Sequence, residues 1–320
     1  MLYPNPRHLR AFVELAECRS FSAAARMLHL GQPALSQAVA RLEEIVGVRL
    51  LERTTRSVVL TQAGEDFLID ARRVLRENDR LLSRGGEWAH GGLGRLSLLT
   101  LPSVAHRVLP FILVEFGKRH VGVEVSLHDY PDPVLRQRLG QGEGDLAIVT
   151  ESSVVSDRRF LPLMRDDFRI LLHADHPLAQ RGEISPRQLS SERLILQRHG
   201  MFLRSYADSA IAQLRLKHEP LEVNHVGTVI GMVEAGLGVA ILPGLVCPSP
   251  SLQSVVSRPI ARSPISRVVG FVRSVERVAF PATRAFVEVA REFVAAPNAE
   301  LPEGVFPIAC EAAAVTNFIC

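Results

Sequence analysis

The chain is short of cysteine and has no long apolar run, and both shortages narrow what it can be. Its 320 residues include four cysteines, Cys18, Cys247, Cys310 and Cys320, scattered and without a CxxC pair. That spacing argues against a zinc site or a disulfide framework, so neither a metal nor another cofactor is expected. A reducing cytoplasm is the simplest location for such a chain. No apolar stretch approaches the roughly 18 residues a membrane helix needs, so no membrane partner is expected. The opening MLYPNPRHLRAF lacks the basic-then-apolar layout of a secretory signal. HExxH, GxSxG and Walker loops are missing, and the eleven His are dispersed without metal-ligand spacing. The run GQGEG at 140–144 superficially resembles a dinucleotide fingerprint. It precedes a strand-like segment, however, whereas that fingerprint follows a strand and opens a helix. The expectation is therefore not an enzyme.

Charge is unevenly placed. Residues 1–60 carry eight Arg and five Glu with no Lys or Asp, while residues 61–320 carry 29 basic and 29 acidic residues. The whole net charge of +3 thus belongs to the first 60 positions. A phosphate-binding module joined to a neutral body would look like this, although the excess is modest.

The pattern within that segment is a helix-turn-helix followed by a hairpin. A first helix is predicted from about Pro6 to Cys18, with Leu9, Phe12, Val13 and Ala16 as its buried stripe. Ser22 is a good N-cap for a short second helix ending near Leu28. His29-Leu30-Gly31 forms the turn, Pro33 sits in the first turn of the third helix, and Gly47 ends it. Leu35, Val39, Leu42 and Val46 fall on one face of that helix. The opposite face carries Pro33, Ser36, Gln37, Ala40 and Arg41, short or hydrogen-bonding side chains suited to a DNA major groove. β-prone runs at 48–51 and 58–60 flank Glu52-Arg53-Thr54-Thr55-Arg56-Ser57, a wing whose tip offers two Arg and three hydroxyls to phosphates.

Residues 7–64 closely resemble the winged helix-turn-helix of LysR-type transcriptional regulators. The pieces HLRAFVELAE, SFSAAARMLHL, QPALSQAVARLEEIVGVRLLER and VVLTQAG carry the resemblance. It implies that Gln32, Pro33, Ser36, Gln37 and Arg41 face DNA, with Arg53 and Arg56 on the backbone. Ser22 and Thr54 complete the expected DNA-binding set. Gly31 stands where the family usually has Ser or Thr, and Leu51 where it usually has Phe. Gly is a tolerable N-cap, costing about a few tenths of a kcal/mol, but a hydroxyl that could touch phosphate is lost.

Thr61 can cap the next helix, expected to run to about Trp88 and span roughly 40 Å. Phe67, Ala71, Val74, Asn78 and Leu81 recur at four-three spacing, flanked by Leu68, Leu75 and Leu82. So broad a stripe on a helix between domains predicts a seam with another subunit, with Asn78 setting register. The family's linker helix dimerises, which agrees. His90 to Gly94 then reads as a hinge.

From Arg95 strands alternate with helices, which predicts parallel sheets with covered faces. Strands are expected near 96–101, 123–128, 145–149, 168–173, 194–196, 221–226, 239–242 and 267–272. Helices are expected near 103–119, 133–140, 202–214, 228–235 and 279–294. PSVAHRVLP, GDLAIV, HPLA and VEAGLGVAILP make this half similar to the family's effector-binding domain, of type 2 periplasmic-binding-protein architecture. The fold expected is multidomain. A winged helix-turn-helix (1–61) is followed by a linker and dimerisation helix (62–89), a hinge (90–94) and a two-lobed α/β effector domain (95–296). Lobe one is 95–164 plus 268–296, and lobe two is 165–267. The tail 297–320, with three prolines and no periodicity, is expected to be mobile.

Ligands of such sheets sit beyond the carboxyl ends of strands. That rule selects Thr100, Pro102, Ser103, Thr150, Gln197, Arg198, His199, Gly200 and Thr228 as effector-binding candidates. Ser103 and Thr228 are expected to cap helices whose free N–H groups attract anions. Arg198 and His199 add a cation, so a small anion, such as a carboxylate, is the expected effector. The implied function is a DNA-binding transcription factor modulated by a small-molecule effector held between the lobes. Its expected partners are double-stranded DNA, a second copy in a homodimer or tetramer, and RNA polymerase if it activates. A two-lobed solute-binding protein of transport is the alternative, but the N-terminal head does not suit it.

Overall fold

A computed structural model describes residues 3–53, 58–90, 94–131, 134–135, 137–138, 141, 143–153, 158–249, 252–261, 265–274 and 280–319, without the side chains of 53, 80–90, 153, 158–159, 274, 312 and 319. It divides into two compact units, Met1–Gly94 and Arg95–Cys320.

The first unit begins with α1 (Pro6–Cys18), whose N-cap Asn5 accepts the Arg7 N–H at 2.9 Å. Its buried residues are Leu9, Ala11, Phe12 and Leu15. Val13 and Ala16, expected in that stripe, are only half-buried, because Leu15 is the residue turned to the core. The second helix, α2, covers Phe21–Met27 and is capped by Ser20 rather than Ser22. Its inner face is Ala24 and Ala25, whose small side chains permit close helix approach. α3 (Gln32–Val46) buries Leu35, Val39 and Leu42 completely. Gly31 caps it without a side-chain bond, and Gly47 closes it at φ 80°, a left-handed backbone that favours glycine.

β1 (Leu51–Arg53) and β2 (Val58–Leu60) pair antiparallel, Leu51 opposite Leu60. The first strand starts later than the expected 48–51, since Leu50 and Leu51 donate their N–H groups to Glu43 instead. Thr61 caps α4 (Gln62–His90) by accepting the Gly64 N–H at 3.0 Å. A Cβ on Gly64 would lie 2.0 Å from the Leu50 carbonyl oxygen, so only glycine fits this junction. The α4 stripe is corrected in part. Ala71 and Leu75 are buried in the unit's own core, with Phe67 and Leu68 packed on it and Phe12 edge-on to Phe67. Arg10–Asp79 and Arg72–Glu17 ion pairs tie α1 to α4. Four of the eight residues read as an intersubunit seam are therefore used within the chain. Val74 remains about half exposed, at 49%, and the side chains of Leu81 and Leu82 lie outside the described residues.

In the second unit, β3 (Arg95–Thr100) lies between β4 (Glu124–Asp129) and β5 (Leu146–Thr150), all parallel. Helices α5 (Pro102–Arg107) and α6 (Leu109–Arg119) follow β3. A single helix was expected here. It breaks at Val108, φ −123°, because Pro110 lacks an N–H and disfavours helical geometry before it. The expected helix at 133–140 falls largely outside the described residues.

β6 (Arg158–His173) is a 16-residue strand, where only 168–173 was expected. Its first half was hidden by Pro162 and by charge. The register against β11 (Ser266–Ser274) shifts there, Met164 facing Val269 but Pro162 facing Gly270. A bulge of this kind is where a strand tolerates proline. β6 then continues between β9 (Ala240–Pro243) and β10 (Val255–Pro259). These pairings, like β11 on β5 and β6, are antiparallel, so among the paired strands described the parallel expectation holds for β4-β3-β5 and for β7 (Ile195–Gln197) on β8 (Leu221–Val223). β7 reaches β9 through a Leu194–Val239 bridge. α7 (Phe202–Ile211), α8 (Val226–Glu234) and α9 (Pro281–Ala295) cover the strands. Two lobes result, and both expected crossing points, 164/165 and 267/268, fall inside β6 and β11.

The tail is not loose, contrary to the expectation for 297–320. β12 (Val305–Pro307) pairs antiparallel with Met164–Asp166 of β6. α10 (Ala312–Ile319) buries Phe318 against Phe271, and the Phe318 carbonyl accepts from Arg273. Glu303 pairs with Arg169 at 2.7 Å, and a Cβ on Gly244 would meet the Glu303 carbonyl at 2.4 Å. A few main-chain bonds and one aromatic anchor, not a helical period, order this segment, which is why periodicity missed it.

Candidate nucleic-acid interface and effector site

On α3 the core-facing and outward residues separate cleanly. Opposite the buried Leu35, Val39 and Leu42, the side chains of Gln32, Pro33, Gln37 and Ala40 are exposed, and Ser36 and Arg41 are half-buried. Gln32 Nε2 donates to Ser22 Oγ at 3.5 Å, bringing the start of α2 beside the start of α3. Arg41 is ion-paired with Glu44 one turn on, so reaching a base edge requires it to exchange that carboxylate for an acceptor on DNA. Leu35, Val39 and Leu42 fix the rotation of α3, and this fixes which residues look outward.

The sequence pattern did not reveal how the wing is held. Glu43 Oε1 accepts the N–H groups of Leu50 and Leu51 at 2.9 and 3.1 Å. One carboxylate on α3 thereby anchors the hairpin's first strand beside the recognition helix. Thr54 and Arg56 lie outside the described residues, as does the side chain of Arg53.

In the second unit the effector candidates form two groups. Thr100, Pro102, Ser103 and Thr150 gather at the carboxyl ends of β3 and β5, where the Leu101 N–H bonds the Ile148 carbonyl at 3.2 Å. Thr100 and Thr150 are fully buried, and Thr150 Oγ1 lies 3.3 Å from Ser152 Oγ. Gln197, Arg198, His199, Gly200 and Thr228 gather at the ends of β7 and β8. Gln197 Nε2 donates to the Asn224 carbonyl at 3.0 Å, while Arg198 and His199 are exposed. Gly200 turns the chain at φ 86°.

Neither expected cap is one. α5 is capped at Leu101 and α8 at His225, both without side-chain bonds. Ser103 and Thr228 lie in the first turns, and their hydroxyls are not used as caps. Ser103 Oγ instead accepts from Arg267 at 3.2 Å.

Two charged clusters support these groups, and neither was singled out from the sequence. Arg267 of β11 donates to Asp166 of β6 through Nε and a terminal nitrogen, both at 2.8 Å, and the side chains are 3% and 0% exposed. Asp166 also accepts the Leu245 N–H at 3.0 Å. Burial pushes the Asp166 carboxyl up, opposed by Arg267 and that N–H. The pair sits where the strands cross between lobes, with Ser103 as its neighbour. The other cluster centres on Arg204 of α7, which donates to Asp208 at 2.7 Å, Glu222 at 2.6 Å and the Gln197 carbonyl at 2.8 Å. Burial works against its charge, but Asp208 and Glu222 outweigh it and raise the guanidinium pKa. Glu222 is held below the usual carboxylate range by its bond to Arg204. Arg204 also approaches His199 Nε2 at 2.9 Å, so this cluster fixes the backbone and imidazole beside Arg198.

An outward recognition helix on one unit and a two-lobed α/β body on the other define a DNA-binding regulator with a substrate-binding domain. Known proteins agree. The bacterial regulatory helix-turn-helix protein, lysR family, matches residues 6–65, and the LysR substrate binding domain matches residues 89–295. The uncharacterized HTH-type transcriptional regulator YbhD of Escherichia coli (strain K12) is 31% identical over 279 residues, 87% of this chain and 88% of that protein. The DNA-binding transcriptional dual regulator OxyR of the same strain is 32% identical over 273 residues, 84% and 88% of the two chains. A full-length OxyR cysteine variant from Pseudomonas aeruginosa shares the fold with a TM-score of 0.71 at 24% identity, covering 97% of this chain and all of that one. The chain belongs to the LysR family of bacterial transcriptional regulators. Among the described residues, no helix is long and apolar enough to cross a membrane.

Proposed function

We propose that Gln32, Pro33, Ser36, Gln37 and Arg41 contact double-stranded DNA, Ser22 beside them, with Arg53, Thr54 and Arg56 on the phosphates. The observation that carries this reading is the polarity of α3: three fully buried aliphatic side chains behind, and amide, hydroxyl and guanidinium groups in front. Gln and Arg pair with base edges in the major groove, while hydroxyls and wing arginines suit the backbone. The protein acts as a homodimer or tetramer through α4, where Val74 is exposed and Asn78, Leu81 and Leu82 continue the stripe in the sequence. A two-fold dimer requires partial symmetry in the operator.

A small anionic effector binds between the lobes, with Thr100, Pro102, Ser103 and Thr150 on one side and Gln197 to Gly200 and Thr228 on the other. Its preference for one lobe arrangement over another supplies the free energy of the response. The chain works in the cytoplasm, on the chromosome, without catalysis. If it activates, RNA polymerase is the further partner. OxyR is a relative whose counterparts are named hydrogen peroxide-inducible genes activators. Here the Cys247 thiol is buried and pushed up to about 12, a poor setting for a peroxide-reactive thiolate.

A gel shift on the duplex upstream of its own gene, at low salt and with sheared competitor, tests the reading. Specific retardation that changes with candidate carboxylates is expected; indifference to every duplex would overturn it.

A further inference from the structure

The second unit contains a cavity of about 250 Å³ that shares no lining residue with the effector groups. Three separate segments build it. Arg107, at the end of α5, forms one side. Residues of 244–248 and 252–258 form another, including Cys247, Leu252, Gln253 and Val255. Pro302 and Glu303 of the ordered tail close the third.

Its charge is not balanced internally. Glu303 is already engaged, by Arg169 at 2.7 Å and Ser257 Oγ at 3.1 Å. Arg258 donates to the Ala179 and Ser257 carbonyls, both 2.9 Å away, which are neutral acceptors. Arg107 Nε is buried and has no hydrogen-bond partner among the described residues. A buried donor of a charged group without an acceptor is costly, and a ligand carboxylate is the acceptor a guanidinium matches best. Leu252, Val255, Pro248 and Pro302 supply an apolar stretch of the wall, with Gln253 and Ser257 as neutral polar neighbours. The volume equals about eight waters at ~30 Å³ each, too small for a drug-sized ligand.

We propose that this cavity is a second ligand site, for a small organic monocarboxylate whose carboxylate meets Arg107 and whose short hydrocarbon body packs on Leu252 and Val255. The site does not depend on DNA binding. Because α5, the β9–β10 segment and the tail each supply a wall, an occupant ties all three together.

Calorimetry on the full chain tests it, with acetate, hexanoate and cyclohexanecarboxylate as probes and cyclohexanecarboxamide as the uncharged control. Arg107→Gln removes the cation. Gln253→Trp, at an exposed position, blocks the cavity without touching the core. Thr228→Val alters the other cleft. The expected result is saturable binding of hexanoate or cyclohexanecarboxylate, one per chain and tighter than acetate. The amide and both cavity variants should weaken it by about tenfold or more, while Thr228→Val leaves it within twofold. No saturable binding of any acid, equal binding of the amide, or affinity lost in Thr228→Val but kept in Arg107→Gln and Gln253→Trp would each overturn the proposal. Circular dichroism of Arg107→Gln checks its fold, and Gln253→Trp carries the test if that variant is unfolded.

Discussion

Removing the Asp166 carboxylate should be among the most damaging single changes in the second unit. In Asp166→Ala, Arg267 keeps its charge in a place where its side chain is 3% exposed. It loses both of its 2.8 Å contacts to the carboxylate, and the Leu245 N–H loses its acceptor. Breaking one partner out of a buried pair costs about 3–5 kcal/mol. Ser103 Oγ remains as an acceptor for Arg267 at 3.2 Å, so the lower end, ~3 kcal/mol, is expected. That corresponds to about two factors of ten in the opening equilibrium. Hydrogen exchange at the Leu245 amide in the full chain reads this locally, and a urea midpoint reads it for the unit. Asp166→Leu with Arg267→Met removes both charges and should recover most of the loss. A loss under about 1 kcal/mol in Asp166→Ala, near the worth of an exposed pair, would refute the claim that these charges are sealed between the crossing strands. So would a double variant as unstable as the single one.

Gly64→Ala should destabilise the first unit by about 1–3 kcal/mol or more, since the added methyl meets the Leu50 carbonyl at 2.0 Å; a wild-type urea midpoint would contradict this. Glu222 has a lowered pKa in the folded chain, so its contribution is present above the unfolded value near 4.5 and is lost as pH falls through the depressed folded value. Acid titration of Glu222→Gln should therefore lack a stability increment that wild type loses below about pH 4.5, and superimposable profiles would argue against the Arg204 pairing. Cys247, pushed up to about 12 by burial, should resist iodoacetamide at pH 8 in the native chain and react only on unfolding; rapid native labelling at Cys247 would show that burial to be wrong.

The helix-turn-helix was legible because its signals are local. Leu35, Val39 and Leu42 fall at helical spacing, Pro33 and Gly47 punctuate the ends, and all behave in the structure as their spacing predicts. Ser22 reads as the cap of α2, but Ser20, two residues earlier and also ahead of the apolar run, is the one that caps it. The α4 stripe misled for a different reason. An amphipathic face reads the same whether it packs on α1 of its own chain or on another chain, so Phe67, Ala71 and Leu75 carried no mark of their intramolecular use. The elements that escaped depend on distant partners. Pro162 disguises the first half of β6, whose bulge exists only against Gly270. β12 becomes a strand only because β6 offers an edge. Asp166 and Arg267 are 101 positions apart, and Glu43 meets the wing through backbone N–H groups that no pattern of side chains reveals. The effector candidates were chosen by the rule that ligands sit at strand ends. That rule picks out residues at the ends of β3, β5, β7 and β8, but Ser103 and Thr228, read as caps, are not caps.

Fluorescence anisotropy with the duplex upstream of the protein's own gene, comparing wild type with Gln37→Ala, tests most directly whether the outward face of α3 reads DNA. Gln37 is exposed and has no part in the core, so folding should be untouched. Loss of a base-edge contact should weaken specific binding by about 1–3 kcal/mol, tenfold or so, and leave affinity for unrelated duplex unchanged. Equal affinity for the specific duplex in the two proteins would contradict the assignment of that surface to the groove.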